Sequence, residues 1–278
     1  MAHRELLAAA SSVNENILKY YKLGQESSRL SGASLERIRT ESVLPRFLPR
    51  TPATILDVGG ADGVYAFPLS KAGYEVHLVD PIALHIEQGR EKSDSSGVRL
   101  ASITMGDARA LKFPNQFADA VLYFGPLYHL DSTSERSAAL LEAYRTLKPG
   151  GNFLGAFISR FASLLDGVRS HFLEKEEFAK IVDGDLKTGQ HRNSTDNPVY
   201  FTNAYFHHPM EAKSEVQQAG FKNVRLLSVE GPFWLVNDIQ EQLEKPELST
   251  RILEFMERIE AEEGLIGASA HFLAVAEK

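Results

Sequence analysis

Residues 55–63 read Ile-Leu-Asp-Val-Gly-Gly-Ala-Asp-Gly, an apolar run ending in an acid and a glycine-rich turn, and Asp80 closes the next apolar run. A turn that reverses a strand into a helix needs backbone freedom and close approach, which Gly59, Gly60 and Gly63 provide where a Cβ would intrude. The seventeen positions from Gly63 to Asp80 hold one crossover helix, about 64–72, and a second strand, about 74–79, which returns the acid to the turn. A carboxylate there accepts hydrogen bonds from a ribose diol, so the pair marks a crevice for a nucleoside cofactor at the carboxyl end of a parallel sheet. Taken alone, such a turn also serves simply to pack a helix close to a strand. The other chemistry-bearing candidates are Tyr128 and His129, just past an apolar run at 119–124, and His207, just before a helix that begins near Pro209. An imidazole accepts protons near neutrality and suits a general base.

Periodicity supplies the elements that must position these groups. Two helical stretches, about 4–22 and 34–47, precede the first strand; Gly24 and Gly32 bracket a polar turn between them, and Pro45 and Pro49 punctuate the end of the second. From Ala53 onward, apolar runs near 53–58, 74–79, 99–104, 119–124 and 152–158 alternate with helical patterns, which argues for right-handed βαβ units and a parallel sheet. The helix before the fifth strand opens on a capping-box pattern, Ser132 with Glu135, and ends at the stop signal Lys148-Pro149-Gly150-Gly151. A helix near 161–182 and a polar stretch to Pro198 then interrupt the alternation, as a lid or recognition insertion does. A helix at 210–219 and a strand at 223–229 resume it, and a helical stretch at 236–263 precedes the last strand at 271–276.

The chain has 278 residues, enough for one large α/β domain with modest additions. It contains no cysteine, which excludes disulfides, thiolate nucleophiles and zinc sites of the Cys type. A net charge of −7 without a block of Lys or Arg speaks against nucleic acid as a partner. No apolar run approaches the roughly 18 residues a membrane span requires, and the first residues carry no secretory pattern, so a cytoplasmic location is the expectation. No metal is expected: His207 and His208 are adjacent, and adjacent side chains do not readily converge on one ion.

Taken in order, these motifs resemble the class I S-adenosylmethionine-dependent methyltransferases. Asp57-Val58-Gly59-Gly60-Ala61-Asp62-Gly63 is similar to that family's first motif, Asp80 to its acidic ribose ligand, and Gly106-Asp107-Ala108 to the segment placed against the adenine. Phe117 to Leu122 resembles its fourth strand, and Leu147 to Gly151 the turn before its fifth. The resemblance implies a doubly wound, Rossmann-like α/β sheet of seven strands, with the last strand antiparallel beside the fifth. It implies an N-terminal helical cap at 1–50 and a methyltransferase domain at 51–278, with lid insertions at about 161–206 and 232–268. It also implies S-adenosylmethionine as cofactor, held by Asp57, Gly59, Gly60, Ala61, Gly63, Asp80, Pro81, Asp107, Ala108 and Phe124. Ala61 stands where the family has its second glycine; slight reshaping of the turn with retained binding is expected. Gly125 to Leu130, Ser159-Arg160 and Ala204 to His207 are, more loosely, similar to bacterial methyltransferases acting on small molecules.

In that frame the fourth strand opens over the methyl group, so His129 is placed as base or substrate anchor and Tyr128 as a pocket wall whose hydroxyl orients substrate, with His207 a further catalytic candidate. Tyr20, counted with the cofactor site, and Tyr21, counted with the substrate site, could fold over the sulfonium, where an aromatic face attracts a cation. Arg160 could clamp an anionic substrate group, and Tyr205 and Trp234 belong with Phe201, Phe206 and Phe233 to an aromatic substrate pocket. Surface ion pairing, helix starts and core packing compete for each of these residues. The function expected is methyl transfer to a small organic acceptor, oxygen favoured over nitrogen or carbon, by a monomer or homodimer. The alternatives are an NAD(P)-dependent oxidoreductase, against which stand the acid before the glycines and the Leu-Lys-Pro-Gly-Gly turn, and a catalytically silent methyltransferase-like binding domain. Nucleobase methylation is disfavoured by Gly125, which stands where such enzymes carry an amide or acid.

Overall fold

The computed structural model describes Tyr20, residues 34–195 and residues 197–278. Seven strands form one sheet: β1 (Thr54–Val58), β2 (Glu75–Asp80), β3 (Ser102–Met105), β4 (Ala118–Tyr123), β5 (Leu147–Ile158), β8 (Lys222–Ser228) and β9 (His271–Glu277). Their order is β3-β2-β1-β4-β5-β9-β8, with β1 to β5 parallel and β9 antiparallel to both of its neighbours. This is the expected doubly wound sheet with its last strand reversed beside the fifth. The winding reverses between β1 and β4, and there the chain leaves adjacent strands in opposite directions and opens a crevice at their carboxyl ends.

Successive residues of a strand face opposite sides, and the central strands are apolar on both. Ile55, Leu78, Leu122, Leu154 and Leu273 pack on one face with Val43 and Leu44 of α1 (Leu35–Phe47) and Ala66 of α2 (Ala66–Lys71). Leu56, Val121, Phe153 and Phe157 pack on the other with Leu140 and Ala143 of α5 (Thr133–Thr146) and Val216 of α8 (Pro209–Gln218). The helix α3 (Ala83–Ser96) joins β2 to β3, and the single turn α4 (Pro126–His129) follows β4 directly.

The capping box expected for α5 is present: Ser132 Oγ accepts from Glu135 N at 3.2 Å while Glu135 Oε2 accepts from Ser132 N. The stop signal behaves differently from its expected loop role. Leu147 already pairs with Ala118, so Lys148 to Gly151 lie within β5 as a local irregularity, where Gly150 adopts φ +75° and a Cβ on Gly151 would stand 2.9 Å from Asp119 O. The insertion also departs from one helix over 161–182. It forms α6 (Ala162–Arg169), a 3₁₀ turn (Phe172–Glu174) and α7 (Glu176–Thr188), broken where His171 takes a left-handed φ of 58°. The polar stretch after it contains a two-stranded ribbon, β6 (Gln190–His191) with β7 (Ala204–Tyr205). The stretch expected as helical at 236–263 is likewise divided, into α9 (Ile239–Leu243), α10 (Pro246–Ile259) and α11 (Glu263–Ile266); Pro246 lacks the N–H that a continuous helix would need.

Helix α1 is fixed over this end of the sheet by a buried ion pair. Arg39, 1% exposed, donates to Glu260 Oε2 at 2.7 Å and to Val229 O, and Arg46 also pairs with Glu260. Leu35 packs with Ile239, Leu243, Ile252 and Met256 of the α9 and α10 pair. Of the helix expected at 4–22, only Tyr20 belongs to the described residues.

Candidate active site at the switch point

The turn after β1 is held by contacts that its sequence anticipates. Gly59 donates to Val79 O at 2.7 Å with φ +74°, and a Cβ there would stand 2.6 Å from the Pro126 ring. Ala61 has φ 50°, a left-handed conformation that favours glycine, and its N–H donates to Asp80 Oδ2 at 3.0 Å. The other Asp80 oxygen accepts from Ile82 N at 2.9 Å and faces His85 Nδ1 at 3.0 Å. Asp80 therefore fixes the turn as well as standing on the wall of the crevice.

That crevice is a cavity with about 1240 Å³ between its walls, part of it open to solvent. Gly59, Gly60 and Ala61 form one side, with Asp80, Pro81 and Ile82 beyond β2, Gly106 to Arg109 beyond β3, and Phe124 to Pro126 with Tyr128 and His129 beyond β4. Glu36 and Thr40 reach it from α1, and His271 and Leu273 from β9. An acid for a diol at the end of β2, exposed turn backbone, and the apolar rings of Tyr65 and Phe124 fit an adenosyl cofactor.

Three expected cofactor residues lie outside this lining: Gly63, Asp57 and Tyr20, whose ring lies against Phe201 instead. Gly63 takes φ +87° against the Phe67 ring and shapes the turn from behind. Asp57 is fully buried beneath it: a Cβ on Gly60 would stand 2.5 Å from Asp57 Oδ2, and neither Asp57 oxygen has a hydrogen-bond partner of good geometry among the described residues. Burial, and next the Asp80 charge, push the Asp57 carboxyl up to about 7, offset in part by the nearby Ala66 N–H. Asp107 lines the cavity, but its carboxylate is gripped by Arg109 through the backbone N–H at 2.8 Å and the guanidinium at 2.6 Å. Arg109 is itself paired with Glu135.

A second cavity adjoins the first through Tyr128 and His271, which border both. Its other walls include Ile158, Ala162, Phe178, Tyr200, Phe201, Phe206 and Trp234, so it is largely aromatic, with Ser163, Asp166 and His191 as polar groups. Trp234, expected in a substrate pocket, stands here with its indole N–H on Ala268 O at 2.9 Å. Tyr20 is buried with its ring edge-on to Phe201, 5.2 Å between centroids, and Tyr21 lies outside the described residues. His129 faces Phe201 at 6.1 Å in a nearly parallel arrangement and lies 4.7 Å from the Tyr128 ring.

Three other candidates are not brought to either cavity. His207 is 0% exposed, enclosed by Phe157, Tyr205 and Glu215, and burial lowers its pKa. Arg160 spends its guanidinium on Phe206 O, Tyr205 Oη and Glu211. The Tyr205 ring lies 3.8 Å beneath the Arg136 guanidinium, which also holds Glu215. These groups form the mount of the insertion on α8.

His271, Glu230, Glu36 and His85 line or support the site with no signal in their local sequence. Glu230 is 4% exposed and accepts from Ser269 Oγ at 3.0 Å, from His271 N at 2.9 Å and, across 2.7 Å, from His271 Nδ1. Burial would raise its pKa, but the His271 charge and these donors outweigh that and hold the carboxyl below its usual range. Among the described residues no helix is long and apolar enough to cross a membrane.

Residues 55–151 match a family described as a methyltransferase domain. The ubiquinone/menaquinone biosynthesis C-methyltransferase of Caulobacter vibrioides is 29% identical over 160 residues, 53% of this chain and 60% of that protein. Its counterpart in Bordetella parapertussis is 34% identical over 140 residues, 49% of this chain and 52% of that protein. The chain thus spans 60% of the first of these relatives and 52% of the second. Among solved structures, a SAM-dependent methyltransferase from Methanosarcina mazei superposes with TM-score 0.56 at 16% identity, covering 85% of this chain and 96% of that one. Phosphoethanolamine N-methyltransferase 2 of Haemonchus contortus, in complex with S-adenosyl-L-methionine, gives TM-score 0.56 at 18% identity over 86% of this chain and 52% of that one. At such identities the superpositions speak for the fold. With the sheet order and the motif register, the match identifies residues 55–151 as a methyltransferase domain of the class I type, whose cofactor is S-adenosylmethionine.

Proposed function

We propose that this chain moves a methyl group from S-adenosylmethionine to a small organic acceptor seated in the aromatic cavity under the insertion. The observation that carries the reading is the junction: the cavity walled by the glycine turn and Asp80 meets the aromatic cavity at Tyr128 and His271. When bound, the sulfonium supplies an electrophilic methyl carbon, and no protein nucleophile is needed. The chain's own work is to align the acceptor with that carbon, exclude water and accept the acceptor's proton. Tyr128, 6% exposed, walls the passage, and His129 flanks it beside Phe201.

A flat acceptor with an ionisable hydroxyl suits walls of Tyr, Phe and Trp. Oxygen is the atom favoured by the histidines at the mouth. Carbon is the second reading, favoured by the relatives that are named C-methyltransferases. A hydroxy-aromatic acceptor accommodates both, because loss of its O–H proton spreads negative charge over the oxygen and ring carbons. Calorimetry with S-adenosylmethionine, S-adenosylhomocysteine and NAD tests the reading: binding of the first two is expected, and NAD binding without them would sink it.

A further inference from the structure

We infer that His271 is the group that takes the acceptor's proton, with Glu230 as its positioning residue; this rests on the methyl-transfer reading above. His271 opens β9 opposite Ile158 of β5 and borders both cavities, which places it where the two reactants must meet. A carboxylate only accepts hydrogen bonds, so the 2.7 Å contact with Glu230 requires a proton on Nδ1. In the neutral ring the lone pair is then on Nε2, the nitrogen on the far side from Glu230.

Glu230 cannot swing away to follow the ring. Ser269 Oγ and the His271 backbone N–H bind one carboxylate oxygen, and the Glu230 and Gly231 N–H groups in turn hold Ser269 Oγ at 3.0 and 2.9 Å. Such bonding fixes both tautomer and ring plane, the role a carboxylate plays behind a catalytic imidazole. Glu36 Oε2 lies 3.9 Å from Nδ1 and adds a second negative charge for the imidazolium. Other titratable groups lining the two cavities include His85, Tyr128 and His129 in the first and Asp166, His191 and Tyr200 in the second.

The step balances simply. The acceptor X–H gives its proton to Nε2, X forms a bond to the methyl carbon, and the carbon–sulfur bond breaks with its electron pair going to sulfur. Imidazolium then returns the proton to solvent.

The test uses the full chain, with catechol and 1,4-dihydroxynaphthalene as probe acceptors. His271→Ala should lower turnover about 10²-fold or more while leaving the S-adenosylmethionine affinity from calorimetry within about threefold. Glu230→Gln, which keeps an acceptor for Nδ1 but removes the charge, should shift the acid limb of the pH–rate profile to lower pH. Nitrogen NMR of the imidazole in the S-adenosylhomocysteine complex needs no acceptor: it should report the Nδ1–H tautomer, and a lower His271 pKa in Glu230→Gln. Unchanged turnover in His271→Ala, an Nε2–H tautomer, or an unmoved His271 pKa would overturn the inference. So would activity lost to EDTA and restored by a divalent cation, which would make the cluster of Glu36, Glu230 and His271 an ion site. Failure to bind S-adenosylmethionine in the unmutated chain would instead strike the methyl-transfer reading itself.

Discussion

Ala61 donates its backbone N–H to Asp80 Oδ2 across 3.0 Å from a left-handed φ of 50°. The acid on the crevice wall thus also holds in place the one residue of the turn whose side chain opposes its conformation. A left-handed alanine costs about 1–2 kcal/mol, and glycine gives back about 0.4–1 kcal/mol in the unfolded chain. Ala61→Gly should therefore raise stability by up to about 1 kcal/mol, read as a higher urea midpoint at constant slope, with cofactor affinity retained. Asp80→Ala loses both functions; calorimetry should show S-adenosylmethionine affinity down at least about tenfold, or about 1.4 kcal/mol.

Gly60 has no room for a side chain, since a Cβ would sit 2.5 Å from both Asp57 Oδ2 and Leu78 Cδ1. Gly60→Ala should cost about 1–3 kcal/mol through forced shifts of a packed turn. A variant as stable as the parent in thermal unfolding would show that the acid can move aside.

The buried Asp57 gives stability a pH slope of its own. Its carboxyl is held at about 7, against an ordinary 3.8, so the folded chain binds a proton that the unfolded chain releases between these values. The Asp57 contribution is therefore most favourable below about pH 4 and declines as pH rises through 7. Urea midpoints measured from pH 4 to 8 should show this decline in the parent and a flatter line in Asp57→Asn, the difference isolating Asp57 from His207.

Glu215 acts with the opposite sign. Burial opposes its ionisation, but His207 and Arg136 prevail and hold it at about 2, below the ordinary 4.5. Stability from this group is present above about pH 4.5 and is lost as pH falls toward 2. Arg136 is 1% exposed, so Glu215→Ala leaves a buried guanidinium without its partner and should cost about 3–5 kcal/mol. Limited proteolysis should then cut first in the insertion, whose mount on α8 this pair secures.

His129→Ala should lower turnover through acceptor placement, with KM for the acceptor rising and cofactor affinity in calorimetry little changed, because its ring faces Phe201 across the passage. A change confined to cofactor binding would move His129 into the adenosyl site.

What the sequence determined by itself was the sheet and the glycine turn that opens the crevice. Strand alternation, the glycine turn and Asp80 are local in the chain, and backbone sterics with hydrophobic period dictate their geometry wherever they occur. Asp57, expected with the cofactor site, is fully buried beneath the turn, since periodicity names a strand's end without saying which side chain the turn will cover. Tertiary structure alone decided the rest of the site. Glu230 and His271 are 41 residues apart and meet only because β9 reverses beside β5 and returns its first residue to the end of β8. His207 and Tyr205 carry the same groups as His271 and Tyr128, yet packing of the insertion against α8 turns them, with Arg160, into one another. Which imidazole faces a cavity is set by long-range strand order and helix docking, and neither leaves a trace in the residues beside it.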